Sequence, residues 1–167
     1  MSLPDPSERT PAEDAETAAD VIERLGMTPI PEEGAWIAEG PRTQELSAAT
    51  VLLTAAPDGF SAMHRLTVDE GWQWLAGAPA ALLRLRRGGS GVLNYIGPEH
   101  PQVLVRRQTW MGASTLGEWT LVSCWTAPAF RPEYFELGRR ETLVARYPDF
   151  AVEVRALVRE RPVGRMR

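Results

Sequence analysis

Lysine is absent from this sequence: all 18 of its basic residues are arginine. The absence excludes two chemistries that need a lysine amine, catalysis through a Schiff base and the phosphate contact of a P-loop lysine. The formal net charge of −4 is also unfavourable for binding nucleic acid or an anionic membrane. We therefore expect no nucleic acid and no membrane among the partners.

Cysteine occurs once, at Cys124, so no internal disulfide can form, which is typical of a reducing compartment. No run of 18 apolar residues is present, and the N-terminal segment MSLPDPSERTPAEDAETAAD is acidic and polar. The sequence therefore predicts neither a transmembrane helix nor a signal peptide. A cytoplasmic location is the expectation.

The length of 167 residues is typical of one domain with ragged ends. Residues 1–18 are rich in Pro, Ser, Thr, Asp and Glu, and we predict a disordered tail because they contain too little apolar surface to bury. The predicted folded domain spans residues 19–148. Residues 149–167 are predicted to form a C-terminal helical extension.

The folded domain has mainly the signals of β-strands. A short helix, ADVIERLG, is predicted to end at Gly26. From residue 35 to 126, about nine short apolar or alternating runs are separated by Gly, Pro and Asp, which favours a β-sandwich or barrel. The segments PEYFELGRRETLVARY and FAVEVRALVRE change to helical spacing and predict two helices separated by Pro148.

The segment GFSAMHRLTVDEGWQWLAGAP, residues 59–79, carries most of the chemistry. Alternate residues of an extended chain share a face. That spacing groups His64, Leu66, Val68, Glu70, Trp72 and Trp74. A buried imidazole and a buried carboxylate need partners, and the two could exchange protons. They could simply satisfy each other in the core, but the indole-rich face favours a small-molecule pocket.

The same segment resembles the first sequence motif of the cupins, in which a His, a second His, a Glu and a Gly recur at set spacing. The corresponding residues here are His64, Leu66, Glu70 and Gly77. The second cupin motif, built around Pro, Gly and a third His, aligns with RRQTWM. Its three positions are occupied by Arg106, Gln108 and Met111. Two of the four residues that hold a metal in metallo-cupins are therefore missing.

The chain resembles one subgroup more closely, the small single-domain cupins of the fifth cupin family, whose function is largely unknown. Four segments carry the resemblance: IPEEGAW, SAMHRLTVDEGWQWLAGAP, HPQVLVRRQTW and LVSCWTAPAFRPEYFELGRRETLVARYP. The resemblance covers roughly residues 20–148 and implies a mainly β fold, the cupin double-stranded β-helix (jelly-roll barrel), with short N-terminal and C-terminal helices. Ile30 replaces a His of the family pattern and Glu33 replaces a Gly, so an altered pocket mouth is expected.

The pocket chemistry and the resemblance together nominate nine residues. We predict His64 and Glu70 as catalytic. The predicted substrate-binding residues are Glu33, Trp72, Trp74, Gln102, Trp110, Cys124 and Glu136. Simpler structural roles stay open, since a buried Cys is usually a small hydrophobe and Glu136 could pair with Arg139 or Arg140 on a helical turn.

We predict no metal and no other cofactor. His64, Glu70 and Gln102 could supply three donors, but Gln is a poor ligand for a transition metal. His100 lies among Gly and Pro residues, which favours a turn over the barrel wall.

The function predicted from this pocket is acid–base isomerisation, epimerisation or cyclisation of a small polar or cyclic metabolite, since the fold resembles that of sugar-epimerase cupins. Glu70 would be the base, and His64 the acid or an orienting partner. Two alternatives remain: a non-catalytic binding or sensing module, and a metal-dependent dioxygenase or decarboxylase. Relatives of this kind pair through sheet edges, so a homodimer is expected.

Overall fold

The computed structural model of this chain describes residues 16–159. The tail predicted for residues 1–18 and the end of the predicted C-terminal extension therefore fall largely outside the described residues. The α-helices are α1 (Ala18–Leu25), α2 (Arg140–Arg146) and α3 (Ala151–Ala156). The strands are β1 (Thr28–Pro29), β2 (Trp36–Arg42), β3 (Ser47–Thr54), β4 (Ser61–Leu66), β5 (Asp69–Gly77), β6 (Ala80–Leu85), β7 (Gly91–Ile96), β8 (Gln102–Val105), β9 (Trp110–Thr115), β10 (Trp119–Ala127) and β11 (Phe135–Leu137).

The strands form two antiparallel sheets. Six strands follow the order β1-β2-β3-β10-β5-β8, and five follow the order β11-β4-β9-β6-β7. The nine strands from β2 to β10 occupy the stretch predicted to be a sandwich or barrel, and the mainly β fold class is confirmed. Sequential strands β4 and β5 lie in different sheets, so the chain crosses from one face of the barrel to the other between them.

Helix α1 has a cap at each end, and its end at Gly26 is as predicted. The Thr17 hydroxyl accepts a hydrogen bond from the Asp20 N–H, and the Asp20 carboxylate accepts one from the Thr17 N–H, which forms a capping box. Gly26 ends the helix in the left-handed conformation, at φ 59°. Neither this helix nor any other in residues 16–159 is long and apolar enough to cross a membrane.

The main core lies between the two sheets, where the inward residues of both alternate with outward ones. Its buried members include Leu53, Leu66, Trp72, Leu82, Ile96, Met111 and Val122. Close packing of two inner sheet faces is the usual way in which a β-sandwich or barrel buries its apolar surface. Some of these core residues, among them Leu66 and Trp72, also line a cavity between the sheets.

A second core covers the outer face of the five-stranded sheet. Met63 and Leu83 from the sheet pack there against Leu143, Tyr147 and residues of the C-terminal segment. The two predicted C-terminal helices are confirmed as α2 and α3, with Pro148 between them.

The helical prediction for PEYFEL is wrong. Pro132–Tyr134 form one 3-10 turn, and Phe135–Leu137 form β11, which pairs with β4 at the edge of the sheet. The apolar spacing of this segment is compatible with a helix, but the free edge of β4 offers backbone hydrogen bonds that a short isolated helix could not match.

An irregularity in β4 determines which of its side chains face the cavity. Ser61 pairs with Ala113 and His64 pairs with Met111, so three steps along β4 match two along β9. This is a β-bulge, which inserts one residue and re-aims the side chains around it. As a result Ser61 and His64 both point inward, while Met63 lies on the opposite face in the second core.

Candidate functional site

A cavity of about 270 Å³ opens between the two sheets. Its inner wall carries His64, Glu70 and Glu33 among apolar side chains. The lining comprises Ile30, Glu33, Ile37, Glu39, Gly40, Arg42, Ser47, Ala48, Ala49, Val51, His64, Leu66, Glu70, Trp72, Cys124, Thr126, Phe130 and Phe135. Apolar walls with a few convergent polar groups are typical of small-molecule sites.

The imidazole of His64 is held by a hydrogen bond and by a stacked ring. Its Nδ1 lies 2.8 Å from the carbonyl oxygen of Ala62 within the bulge, which assigns the Nδ1 proton to a bond with that oxygen. Its ring stacks on Phe135, with ring centroids 5.3 Å apart. The side chain is almost fully buried, so its orientation is determined by the protein and not by solvent.

Glu70 faces His64 from the opposite sheet. The distance from Oε2 of Glu70 to Nε2 of His64 is 3.8 Å. The indole N–H of Trp72 donates a 3.2 Å hydrogen bond to the same oxygen. The prediction that the two residues share one extended face is wrong: β4 and β5 belong to different sheets, and the side chains meet across the cavity.

Glu33 is the second carboxylate beside His64. It lies on the loop between β1 and β2, where its Oε1 accepts a 2.6 Å hydrogen bond from the Ser61 hydroxyl. The same oxygen lies 3.6 Å from Nδ1 of His64. The imidazole is therefore flanked by one carboxylate on each nitrogen.

The two carboxylates determine the charge state of His64. Burial lowers the pKa of the imidazole, but the charge of Glu33 and the interaction with Glu70 outweigh that effect and raise it to about 9. Burial raises the pKa of Glu33, against the opposing effects of His64 and the Ser61 hydrogen bond. At neutral pH His64 is consequently an imidazolium.

Cys124 lies on the cavity wall in β10, opposite Trp72. Burial, followed by the charges of Glu70 and Glu33, raises the pKa of its thiol well above the ordinary value. The neutral thiol is a poor nucleophile, so the residue contributes shape and weak polarity to the wall.

The outer part of the cavity is more polar. The Ser47 and Thr126 hydroxyls are 3.1 Å apart, and the Ser47 oxygen also accepts a hydrogen bond from the N–H of Phe130. The Arg42 guanidinium donates a 2.7 Å hydrogen bond to the carbonyl of Phe130. Glu39 lines the same region.

Five of the nine nominated residues line the cavity: Glu33, His64, Glu70, Trp72 and Cys124. The other four lie elsewhere. Trp74 packs against the main core and donates its N–H to the carbonyl of Ala78. Gln102 is exposed on β8. The substrate-binding roles of these residues stay predictions.

Trp110 and Glu136 lie outside the cavity on the far side of β4, where both contact Arg65. The guanidinium of Arg65 lies 4.6 Å from the Trp110 ring centroid and forms a 2.6 Å ion pair with Glu136. The predicted pairing of Glu136 with Arg139 or Arg140 assumed a helical turn. The residue lies in a strand, so its ion pair runs to Arg65, its cross-strand neighbour.

Sequence reasoning missed Ser61 and Phe135, which contact Glu33 and His64 directly. Had FEL been identified as a strand, alternation would have placed Phe135 inward and Glu136 outward. No local pattern in SAMHRL marks the bulge that turns Ser61 toward the cavity. The polar outer part of the cavity, with Arg42 and Thr126, was also missed because its residues come from distant strands.

Two antiparallel sheets that enclose a cavity with polar groups on its inner wall define this protein as a cupin, a double-stranded β-helix. The chain belongs to the family described as Cupin superfamily (DUF985), the fifth cupin family, whose sequence profile matches residues 19–138. The predicted family membership is confirmed.

Solved structures give the same architecture. A protein from Shewanella oneidensis is 27% identical, with a TM-score of 0.82 over 88% of this chain and 100% of that chain. A hypothetical protein from Leishmania major is 24% identical, with a TM-score of 0.77 over 86% and 99% of the two chains. Oxalate decarboxylase from Bacillus subtilis shares the fold alone, at 12% identity and a TM-score of 0.55 over 78% and 37%. No protein of curated function matches this chain.

Many cupins hold a metal in the position of this cavity, but the side chains here do not fit one. Leu66 and Met111 stand where the motifs have a second and a third His, and both are buried among apolar residues. The remaining imidazole faces the Ala62 carbonyl and the Glu33 carboxylate at Nδ1 and the Glu70 carboxylate at Nε2. Within residues 16–159, no group of three or more His, Cys, Asp and Glu side chains has a metal-binding arrangement.

Proposed function

We propose that this cupin catalyses metal-independent acid–base isomerisation, epimerisation or cyclisation of a small polar or cyclic metabolite. The observation that carries the proposal is the approach of Nε2 of His64 to Oε2 of Glu70, 3.8 Å apart inside the cavity. The His64 imidazolium can donate a proton and the Glu70 side chain can accept one, which is the pairing that general acid–base catalysis requires.

The spacing of these atoms suits proton transfer at neighbouring atoms of a carbonyl compound. A carbonyl oxygen and the adjacent carbon are two bonds apart, about 2.4 Å. Glu70 takes the proton from that carbon while the imidazolium of His64 donates its Nε2 proton to the oxygen, which yields a neutral enol. Glu70 then returns its proton to the other face of that carbon, or to the neighbouring carbon of an enediol, while Nε2 of His64 takes back a hydroxyl proton; this restores both groups and gives the epimer or isomer.

The surroundings favour this chemistry. Trp72 orients the Glu70 carboxylate and the Ala62 carbonyl orients the imidazole, so neither group has to reorganise during the reaction. The walls of Ile37, Leu66 and Phe135 reduce contact with water. The volume of about 270 Å³ is just below the range of about 300–1,000 Å³ found for drug-sized ligands, which suits a small metabolite.

The test begins with a thermal-shift screen of sugars, lactones and keto acids. Each ligand that raises the melting temperature is then incubated with the protein in D₂O, and loss of its C–H signals is followed by proton NMR. We expect the wild type to exchange at least one carbon-bound proton. Glu70→Gln should lower that rate by about 10²-fold or more, since general base catalysis typically contributes about 10²–10⁴-fold.

The matched control is Glu118→Gln, which removes an exposed carboxylate from the turn between β9 and β10. It should exchange at the wild-type rate. Ligands that bind tightly to the wild type and to Glu70→Gln without any exchange would contradict the catalytic proposal and leave a binding or sensing module. Stoichiometric iron, manganese or nickel in the purified protein, required for turnover, would contradict the metal-independent mechanism.

A further inference from the structure

Arg159 contacts the loop that carries Glu33 from a part of the chain that lies beyond the family's matched segment, residues 19–138. It follows α3, in the segment that packs on the outer face of the five-stranded sheet. The carbonyl of Leu157 accepts a 2.7 Å hydrogen bond from the N–H of Met63, next to His64 in β4. The end of the described chain is therefore tied to the strand that carries His64.

The guanidinium of Arg159 packs against the loop that carries Glu33. Its Nη2 donates a 2.6 Å hydrogen bond to the carbonyl of Asp58, and that carbonyl also accepts from the N–H of Ala35. The guanidinium carbon lies 5.7 Å from the ring centroid of Phe60. A Cβ atom at Gly34 would lie 2.5 Å from Nη2, so the absence of a side chain there allows this close approach.

The Glu33 loop needs such support. Glu32 and Ala35 have φ values of 64° and 63°, and Gly34 has a φ of 92°. A non-glycine residue in the left-handed region costs about 1–3 kcal/mol, so the conformation persists only where the surroundings hold it. The carbonyl of Glu33 accepts a hydrogen bond from the N–H of Ala62. Arg159 adds a second support, because it donates to the Asp58 carbonyl that also accepts from Ala35.

The charge of Arg159 also supports a role at Glu33. The Arg159 guanidinium lowers the pKa of Glu33 and so favours its carboxylate form, against burial, which raises it. The other charged or titratable groups that face the pair are the Asp58 carboxylate, 3.5 Å from Nη2 of Arg159, His64 from β4, Glu70 from β5 and Cys124 from β10. Arg159 is absent from the cavity lining, so it acts through Glu33 and not on a ligand.

We propose that Arg159 is a positioning residue of the acid–base site: it holds the Glu33 loop so that the Glu33 carboxylate faces Nδ1 of His64. Its Nε is buried and has no hydrogen-bond partner among residues 16–159, which is energetically costly. The other contacts of the guanidinium therefore hold the side chain in this position. The inference rests on the proposed role of His64, but its test does not depend on turnover.

The test measures the pKa of His64 by NMR titration of its imidazole carbon-bound protons. The sequence contains two His residues, so a His100→Gln variant assigns both signals. We expect Arg159→Leu to lower the His64 pKa by about one pH unit, because the Glu33 carboxylate, whose charge raises that pKa, would no longer be held beside Nδ1. Glu33→Gln should lower it in the same direction. Arg159→Lys, which keeps the charge and one donor to Asp58, should retain most of the wild-type value.

A double-mutant cycle separates this role from a general structural one. In a Glu33→Gln background, Arg159→Leu should leave the His64 pKa unchanged, because the carboxylate through which it acts is gone. Arg155→Leu is the matched control, since the Arg155 side chain is exposed and donates to the carbonyl of Ala151 on its own helix; it should leave the His64 pKa at the wild-type value.

A folded Arg159→Leu variant with the wild-type His64 pKa would overturn the proposal. So would a fall in the His64 pKa that is equally large in the wild-type and Glu33→Gln backgrounds. If Arg159→Leu does not fold, Phe60→Leu removes the ring beneath the guanidinium and should lower the His64 pKa by a smaller amount. Failure of this proposal can be told apart from failure of the proposed function, because the proton-exchange assay tests the proposed function separately.

Discussion

At the scale of single residues, the site depends on a charged imidazole in a buried position. Burial alone would favour neutral His64, and an isolated buried cation would be costly. Glu33 and Glu70 reverse that preference because each faces one ring nitrogen, at 3.6 and 3.8 Å. The side chains therefore stabilise one another in a state that also suits proton transfer.

Stability should consequently depend on pH through His64. Its pKa is raised from 6.5 to about 9 on folding, so the folded protein binds the proton more tightly than the unfolded chain. This contribution is fully present below pH 6.5 and is lost as pH rises through 9. We expect urea unfolding to show a fall in the free energy of unfolding on the order of 3 kcal/mol across that window.

The comparison variant for this measurement is His64→Gln, whose free energy of unfolding should change less between pH 6.5 and 9. The effect of Glu33, whose pKa is also raised, has the same sign but begins at lower pH, above its ordinary value of 4.5. Parallel pH profiles for the wild type and His64→Gln would show that the imidazole is not held charged by the fold.

At the scale of elements, the bulge in β4 and the pairing of β5 with β10 bring the functional groups together. Glu70 and Trp72 point into the cavity from β5, and Gly71 between them faces outward. There the indole of Trp125 lies directly over Gly71, in the space that a side chain would take. Packing on the outer face of this sheet is thus coupled to the strand that carries the proposed base.

Gly71→Ala should therefore destabilise the protein. A methyl group at this position overlaps the Trp125 ring, and overpacking of this kind costs about 1–3 kcal/mol. Denaturant melts monitored by tryptophan fluorescence measure the change. Gly88→Ala is the control, because a methyl group there meets nothing within 4 Å; it should be neutral or slightly stabilising.

At the scale of the whole molecule, the five-stranded sheet is buried on both faces. Its inner face forms the main core with the six-stranded sheet, and its outer face packs against α2, α3 and the segment that ends in Arg159. The C-terminal segment is thus part of the support of the site. The predicted homodimer stays a prediction.

Leu143→Ala should test that integration, since Leu143 is fully buried in the second core. We expect a loss of about 2–5 kcal/mol in one cooperative transition, the usual cost of removing a buried Leu side chain. Val152→Ala, on the exposed side of α3, should change stability little. Two separate transitions, with the barrel unaffected by Leu143→Ala, would show that the C-terminal segment folds independently.

Much of this organisation can be predicted from the amino-acid sequence. Alternation and turn residues predicted the β-rich architecture, Gly26 predicted the end of α1, and the motif around His64 and Glu70 predicted the family and two cavity residues. These features are local, because a strand's alternation, a helix cap and a motif spacing each depend on residues near one another in sequence.

Long-range pairing decided the rest. The sequence of β11 has helical spacing, but its three residues pair with the edge of β4 as a strand. That pairing turns Phe135 inward and Glu136 outward. The bulge in β4 aims Ser61 and His64 together, and Arg159 meets the Glu33 loop across more than a hundred residues of chain. Such contacts depend on which strand edges and side chains face each other after folding, and no local pattern in the sequence carries that information.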